Sequence, residues 1–400
     1  MNQTPRANRK HIVLYGKTNS GKSSIFNALL GQDVSIVSSV KGTTTDPIIK
    51  SMELIPFGPV VVIDTAGLDD KTELGELRIK QSLKMLQRAD YALYIMDAND
   101  IDEMAYKKMA DDFKKFNIAH SLVINKVDSI TEEKVQALKE KYKEAVFVSV
   151  HDEDSITHLK NVLIDKLKSQ ETEKTILGDL VPYNGTVVLV IPLDSEAPKG
   201  RLILPQVQVI RDCLDHGIKS YVVRDTELEE ALKDLKQIDL VITDSQIFKK
   251  VDSLVPEEIM LTSFSILFAR YKGELDVFLE GISAIKNLSE NAKILIAESC
   301  SHTSSHEDIG KVKIPSMLQK KLGKRLVFEF TAGHDFPEDL KQYDLIIHCG
   351  GCMMNEKAMK TRIKICQENH IKITNYGIVL AYLTGILDRS IKIFQKNNLN

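Results

Sequence analysis

The chain has 400 residues, more than one ordinary domain accommodates, so two or three domains are expected. Hydrophobic residues at 43% against 27% charged residues exclude a disordered chain and describe a globular one. Basic and acidic residues nearly cancel, leaving a net charge of −3, which argues against a broad positive field for nucleic acid or an acidic lipid surface.

No apolar run approaches the roughly 20 residues that a bilayer-spanning helix needs. The first residues, MNQTPRANRK, lack the apolar core of a signal peptide. The expectation is a cytoplasmic protein with no membrane partner, in a compartment where thiols stay reduced. Five cysteines there read as ligands or nucleophiles where they cluster, not as a disulfide framework.

Short apolar runs alternate with helical patterns over residues 11–168. Strands are expected at His11–Tyr15, Val60–Asp64, Ala92–Asp97, Ser121–Asn125 and Ala145–Ser149. Helices are expected at Ser23–Leu30, Glu76–Arg88, Met104–Phe116, Glu132–Tyr142 and Thr157–Lys168. This alternation implies a mostly parallel sheet with helices on both faces. The polar stretch Ser169–Lys174, followed by Leu180-Val181-Pro182 and Asn184-Gly185, reads as a linker. Beyond it come a strand at Thr186–Ile191, a helix at Pro205–His216, a strand at Ser220–Val223, a helix at Glu227–Gln237 and a strand at Leu240–Thr243. From about Ser263 onward, helices at Ile266–Tyr271, Leu275–Leu288, Ser316–Leu322, Glu356–Asn369 and Ile378–Leu383 alternate with strands at Ala292–Ala297, Val327–Phe330, Asp344–His348 and Lys372–Thr374. The fold class is therefore α/β: a P-loop domain with a mostly parallel sheet over residues 1–172, then two further α/β domains over 173–262 and 263–400. The last two could also form one larger lobe.

The strand His11–Tyr15 runs into GKTNSGKS, residues 16–23, which fits the phosphate-loop pattern G-x-x-x-x-G-K-S. Glycines let backbone N–H groups close around phosphate oxygens, the lysine reaches the outer phosphates and the serine hydroxyl reaches Mg²⁺. Gly16, Asn19, Ser20, Gly21, Lys22, Ser23 and Ser24 are the candidate phosphate contacts. DTAG, residues 64–67, ends the next strand; Asp64 can hold Mg²⁺ through water and the Gly67 N–H can sense the γ-phosphate. In NKVD, residues 125–128, Asp128 offers two acceptors to guanine N1–H and its 2-amino group, a donor pair that adenine lacks. Asn125 and Lys126 brace the base, and a backbone N–H of Ser149-Val150 can meet guanine O6. The ligand is expected to be GTP or GDP with Mg²⁺.

Between the first two motifs, KGTTTDP at 41–47 resembles the switch of the TrmE–Era class of GTPases. The resemblance makes Thr44, flanked by the chemically similar Thr43 and Thr45, the Mg²⁺ ligand that senses the γ-phosphate. Leu68 stands where Ras-like proteins carry a catalytic glutamine, so intrinsic hydrolysis should be slow. TrmE-like proteins share that replacement and use a K⁺ held partly by a loop asparagine, with an acidic residue after DTAG. Asn19 matches the first and Asp70 the second, although the family has Glu at the latter position. The implied catalytic set is Lys22, Thr44, Gly67 and Asp70.

Cys300 follows the strand Ala292–Ala297, and HCGGC at 348–352 closes the strand Asp344–His348. If those strands are parallel, Cys300, Cys349 and Cys352 emerge at one carboxyl edge, where α/β domains bind ligands. A helix starting after Cys352 would favour an anionic centre there. With Glu298, His302 and His348 nearby, the set fits a structural Cys₃His zinc site or a 4Fe–4S cluster with three thiolates and one other ligand. A redox CxxC pair is a third reading. Ligands at the ends of long α/β elements, rather than in small knuckle loops, favour the cluster. Cys213 and Cys366 lie in helical patterns and read as buried apolar side chains.

The GTPase motifs, the stretch IPLDSEAPKGRLILPQ at 191–206 and C-S-H…H-C-G-G-C together resemble the HydF family of FeFe-hydrogenase maturation GTPases, from about Arg9 to Arg389. The resemblance implies a dimeric scaffold that binds a 4Fe–4S cluster through the three cysteines and a variable fourth ligand. It implies transfer of a di-iron precursor, made by two radical enzymes, to apo FeFe-hydrogenase, with GTP hydrolysis governing partner exchange. The alternative is a TrmE–Era-like RNA-modification or ribosome-associated GTPase with a structural zinc site. The charge balance and the lack of aromatic–basic interleaving speak against it.

Overall fold

The computed structural model describes residues 5–31, 47–68, 79, 81–171, 174–193, 200, 202–299, 308–333, 335–337 and 339–395. The chain divides into two compact units, Met1–Thr172 and Glu173–Asn400.

The first unit holds six strands: β1 (Lys10–Gly16), β2 (Ile48–Leu54), β3 (Gly58–Asp64), β4 (Tyr91–Asp97), β5 (Ala119–Asn125) and β6 (Val146–Val148). Their order is β2-β3-β1-β4-β5-β6, with all neighbours parallel except β2, which runs antiparallel to β3. In β1, Ile12 and Leu14 enter one core with Leu159 and Leu163 of the helix Glu153–Lys168, while Val13 and Tyr15 enter a second with Phe113 of the helix Glu103–Lys115. Both faces are covered, so the strand reads as an unbroken apolar run. The sequence reading omits β2. It is an edge strand in which Lys50, Ser51 and Glu53 interrupt the apolar pattern and Ile48 is 53% exposed. Of the helix expected over Glu76–Arg88, residues 79 and 81–84 are helical and Met85–Arg88 tighten into a 3₁₀ turn, while 76–78 and 80 lie outside the described residues. Register places Gly16 beside Ile95, and Asp97 beside Asn125, so the loops after β1, β4 and β5 leave from one edge.

The second unit contains two four-stranded parallel sheets. The first has β7 (Thr186–Val190), β8 (Lys219–Val223), β9 (Leu240–Thr243) and β10 (Met260–Ser263), in the order β10-β9-β7-β8. The second has β11 (Lys293–Ala297), β12 (Val327–Thr331), β13 (Leu345–His348) and β14 (Ile373–Asn375), in the order β12-β11-β13-β14. One continuous core joins them: Val188 and Val241 belong to the same cluster as Ile294 and Ile346. The helix Leu387–Gln395 returns to pack on β10, and Arg389 donates to the Asp252 carboxylate at 2.8 Å and to the carbonyls of Val255 and Pro256 at 2.9 and 2.6 Å.

The expected linker is shorter than its composition implied. Ile176, Leu177 and Val181 are buried in the core beneath β7, and the Asp212 carboxylate accepts from the N–H groups of Ile176 (3.0 Å) and Leu177 (2.8 Å). Among the described residues no helix is long and apolar enough to cross a membrane.

Candidate functional site

After β1 the chain bends through left-handed conformations at Asn19 (φ 64°) and Gly21 (φ 92°) before the helix Lys22–Leu30 begins. Lys22 is buried, and its ammonium donates to the carbonyls of Gly16 (3.1 Å) and Lys17 (2.7 Å). The Ser23 hydroxyl donates to Asp64 Oδ2 at 2.6 Å. The other oxygen, Oδ1, is buried and has no hydrogen-bond partner among the described residues. Burial pushes the Asp64 carboxyl up, opposed by Ser23 and the Lys22 charge. A hydroxyl against a buried carboxylate with one uncommitted oxygen suits a hard, oxygen-seeking dication. Ser24 is exposed in the first turn of the same helix.

Gly67 lies hard against the phosphate loop: a Cβ there would sit 2.7 Å from the Thr18 nitrogen. Leu68 N–H donates to Gly16 O at 3.3 Å, and its side chain packs on the core around Val13 and Tyr15. Thr44 and Asp70, with Thr43 and Thr45, lie outside the described residues.

The base motif is tied to the phosphate loop. Asn125 Nδ2 donates to Ser20 O at 3.0 Å. The Lys126 ammonium donates to Asn19 O at 2.8 Å and to Asp97 Oδ2 at 2.6 Å. Burial pushes the Asp97 carboxyl up, but Lys126 and Asn99 win and hold it below the usual range. Asp128 is exposed, and the Ser149 hydroxyl keeps its carboxyl low. The Ser149 N–H is committed to Ser155 Oγ at 3.1 Å, which leaves Val150 as the better placed of the two N–H donors. The sequence reading passed over Asp97 and Ser155; the position of Asp97 at the carboxyl end of β4 was the signal available for it.

In the second unit, β11 and β13 are parallel neighbours, with Ala297 opposite His348. Glu298, Ser299 and Cys349 therefore leave from one edge. Cys300 and His302 lie outside the described residues. Cys349 is buried, and its sulfur receives Ser299 N–H at 3.1 Å, stands 3.1 Å from Ser299 Oγ and receives Gly351 N–H at 3.5 Å. Gly351 makes the turn at φ 65°. Burial pushes the Cys349 thiol up, while Ser299 and Gly351 pull the other way. Cys352 is partly exposed. Cys213 and Cys366 are buried, and burial pushes both thiols up to about 12.

Two expectations change here. His348 is fully buried and spends both ring nitrogens: Nε2 accepts from Arg362 Nη1 at 2.9 Å, and Nδ1–H donates to Cys349 O at 2.8 Å. Burial and the adjacent guanidinium push it down to about 3, so it is a neutral structural imidazole with no lone pair left for a metal. The helix after Cys352 begins at Glu356, as the sequence reading has it, but its N–H groups are less free than expected: its cap, Asn355, accepts from Ala358 N–H at 3.2 Å. Its first turn is thus partly satisfied by its own cap. Glu298 Oε1 accepts from Tyr376 OH at 3.0 Å. Among the described residues no three metal-binding side chains come together. The residue that sequence reasoning missed is Lys272, whose buried ammonium donates to the carbonyls of Gly351 (3.3 Å), Cys352 (3.3 Å) and Met354 (3.0 Å).

Three family models match the chain. The hydrogenase maturase F dimerization domain matches residues 176–273, the hydrogenase maturase F tetramerization domain matches 276–393, and the 50S ribosome-binding GTPase model matches 11–126. Among curated relatives, the chain is similar to GTPase Der of Campylobacter hominis, 31% identical over 170 residues covering 41% of this chain and 37% of that protein. It is also similar to the tRNA modification GTPase MnmE of Mesoplasma florum, 34% identical over 143 residues covering 36% of this chain and 31% of that one. The chain thus spans little more than a third of the curated relatives it matches. Likeness to solved structures is weak: translation elongation factor SelB of Methanococcus maripaludis, with a GTP analogue, has a TM-score of 0.34 at 17% identity over 42% of this chain and 35% of that one.

Proposed function

Because the chain belongs to the hydrogenase maturase F (HydF) family, we propose that it is a GTP-switched carrier that holds a 4Fe–4S cluster on its thiol loop and delivers a di-iron precursor to apo FeFe-hydrogenase. Residues 11–126 are a GTPase domain, and the dimerization and tetramerization segments support association of the chain with itself.

The observation that carries the reading is the Cys349 sulfur. Two backbone N–H groups and a hydroxyl lie against it at the carboxyl edge from which residues 298 and 299 also leave. Such donors suit an anionic thiolate and tune the potential of a cluster bound through it. Cys300, Cys349 and Cys352 would hold the cluster. Glu298 is the described candidate for the fourth position, with His302 as its rival in sequence. When bound, the cluster supplies an iron site whose fourth ligand can exchange for incoming cargo.

In the nucleotide site, Lys22 exchanges its two loop carbonyls for the outer phosphates of GTP. Ser23 and Asp64, with Thr44, would hold Mg²⁺, which would supply positive charge against the developing phosphate charge. The Gly67 N–H senses the γ-phosphate. Asp128 selects guanine and the Val150 N–H meets O6. Leu68 offers no polar atom to a water, so hydrolysis is slow; Asn19 would help to hold a K⁺, which with Asp70 would supply the missing polarisation. Nucleotide state governs which partner is engaged: the two radical maturation enzymes or the hydrogenase. The protein works as a cytoplasmic homodimer.

Anaerobic reconstitution with iron and sulfide tests the reading. The wild type should take about four irons per chain, and Cys300→Ala, Cys349→Ala and Cys352→Ala should each lose them. Zinc in their place, or iron indifferent to these cysteines, removes the cargo site.

A further inference from the structure

We infer that Lys272 is a positioning residue for the thiol site, an ammonium built into the cysteine loop that fixes the loop's shape and offsets the negative charge of what the thiols bind. The inference rests on the cluster reading above.

Lys272 ends the helix Phe264–Lys272 and is 2% exposed. Lysine is almost never fully buried without a charged partner, because desolvating an ammonium is costly. Among the described residues this one makes no ion pair. Its ammonium ends on three carbonyls of one turn, those of Gly351, Cys352 and Met354. Burial pulls it down to about 8, and the largest opposing influences are Cys352 and Cys349. A second buried cation belongs to the same neighbourhood. Arg362 is 3% exposed and donates to His348 Nε2 and Gly333 O, each at 2.9 Å; burial pulls it down to about 10, and Cys349 is first among the groups that oppose this. Two cations placed on carbonyls and an imidazole suit a pocket whose counter-charge arrives with its ligand. Three thiolates around an iron–sulfur core carry net negative charge, and a nearby cation favours the more negative, reduced state.

Lys272 also has a mechanical position. It lies within residues 176–273, which match the dimerization domain, whereas the loop it grips lies within 276–393, which match the tetramerization domain. A shift of the helix Phe264–Lys272 would pull directly on three carbonyls of the cysteine loop, a physical route from the first sheet of this unit to the thiols.

The test uses the full chain with Lys272→Arg, Lys272→Gln and Lys272→Met, each reconstituted anaerobically. Iron and sulfide per chain are measured, with the midpoint potential by EPR-monitored titration and apo-protein melting as a fold control. Arg keeps the charge and should match the wild type in load and potential. Gln keeps N–H donors without charge; it should load iron but favour the oxidised state about tenfold more, a shift of about 59 mV for one electron. Met keeps neither and should load less than half the wild-type iron. Equal potentials for Gln and Arg, or a fully loaded Met variant at the wild-type potential, overturn the inference. If Met does not fold, the contrast of Gln with Arg decides. A wild type that takes no iron removes the cluster reading and this inference with it.

Discussion

Asp97→Asn should weaken guanine-nucleotide binding about tenfold while the GTPase domain stays folded. Asp97 touches no nucleotide in the proposed arrangement. It fixes Lys126, whose ammonium bridges Asp97 Oδ2 (2.6 Å) and Asn19 O (2.8 Å), and so ties the base motif to the phosphate loop. The Asp97 and Lys126 side chains are 17% and 38% exposed, between a surface pair and a buried one. Exposed pairs contribute roughly 0.2–1 kcal/mol and hydrogen bonds to charged groups about 1.5–3 kcal/mol. A middle value of about 1.4 kcal/mol corresponds to a tenfold change in Kd. The loss appears in nucleotide affinity because an untethered Lys126 must be ordered again on binding. Titration with a fluorescent GDP in Mg²⁺ buffer measures it, and Lys126→Met completes a double-mutant cycle with an expected coupling of about 1 kcal/mol. An Asp97→Asn protein that binds within twofold of wild type, or a cycle that is additive, would refute the reasoning.

Asp128→Asn puts an amide N–H where guanine needs an acceptor, so GDP affinity should fall at least roughly 100-fold and preference should move to xanthine nucleotides. Competition binding with the two diphosphates checks this, and undiminished GDP binding would exclude Asp128 from the base pocket. His348 supplies a pH prediction. Its folded value of about 3 lies below the roughly 6.5 of a free imidazole, so between these pH values the unfolded chain binds a proton that the folded chain does not. Stability is therefore complete above about pH 6.5 and falls by about 1.4 kcal/mol per unit as pH drops toward 3. Hydrogen exchange at β13 amides of the metal-free chain should show a loss from pH 7 to pH 5 that is about 2 kcal/mol larger in wild type than in His348→Gln. Equal losses in both would contradict it.

The GTPase domain was legible because its chemistry is written locally. A phosphate loop, a DTAG and an NKVD each need residues adjacent in the chain at the end of an apolar run. The parallel pairing of β11 with β13 entered the sequence reading only as a condition, which the register of Ala297 opposite His348 meets. What the sequence hid depends on distance along the chain. Lys126 and Asp97 are 29 residues apart, and Lys272 lies 79 to 82 residues from the carbonyls it meets. A lysine at the end of a helix reads as a solvated complement to the helix dipole, and nothing local marks it as buried. His348 misled because a histidine beside cysteines resembles a ligand until Arg362, 14 residues on, is found at its second nitrogen. The linker misled because polar composition around residue 170 did not reveal that Asp212 would anchor Ile176 and Leu177.

The return of the helix Leu387–Gln395 to β10 bears on how this protein is made. Arg389 holds carbonyls of the turn before β10 across 133 and 134 residues of chain. At about 5–20 residues per second, a ribosome that has just finished β10 needs roughly 6–25 seconds more to supply that helix. Until then the first sheet of this unit lacks the helix that covers β10. The covering of β10 is thus completed only after all four strands of the second sheet have been synthesised.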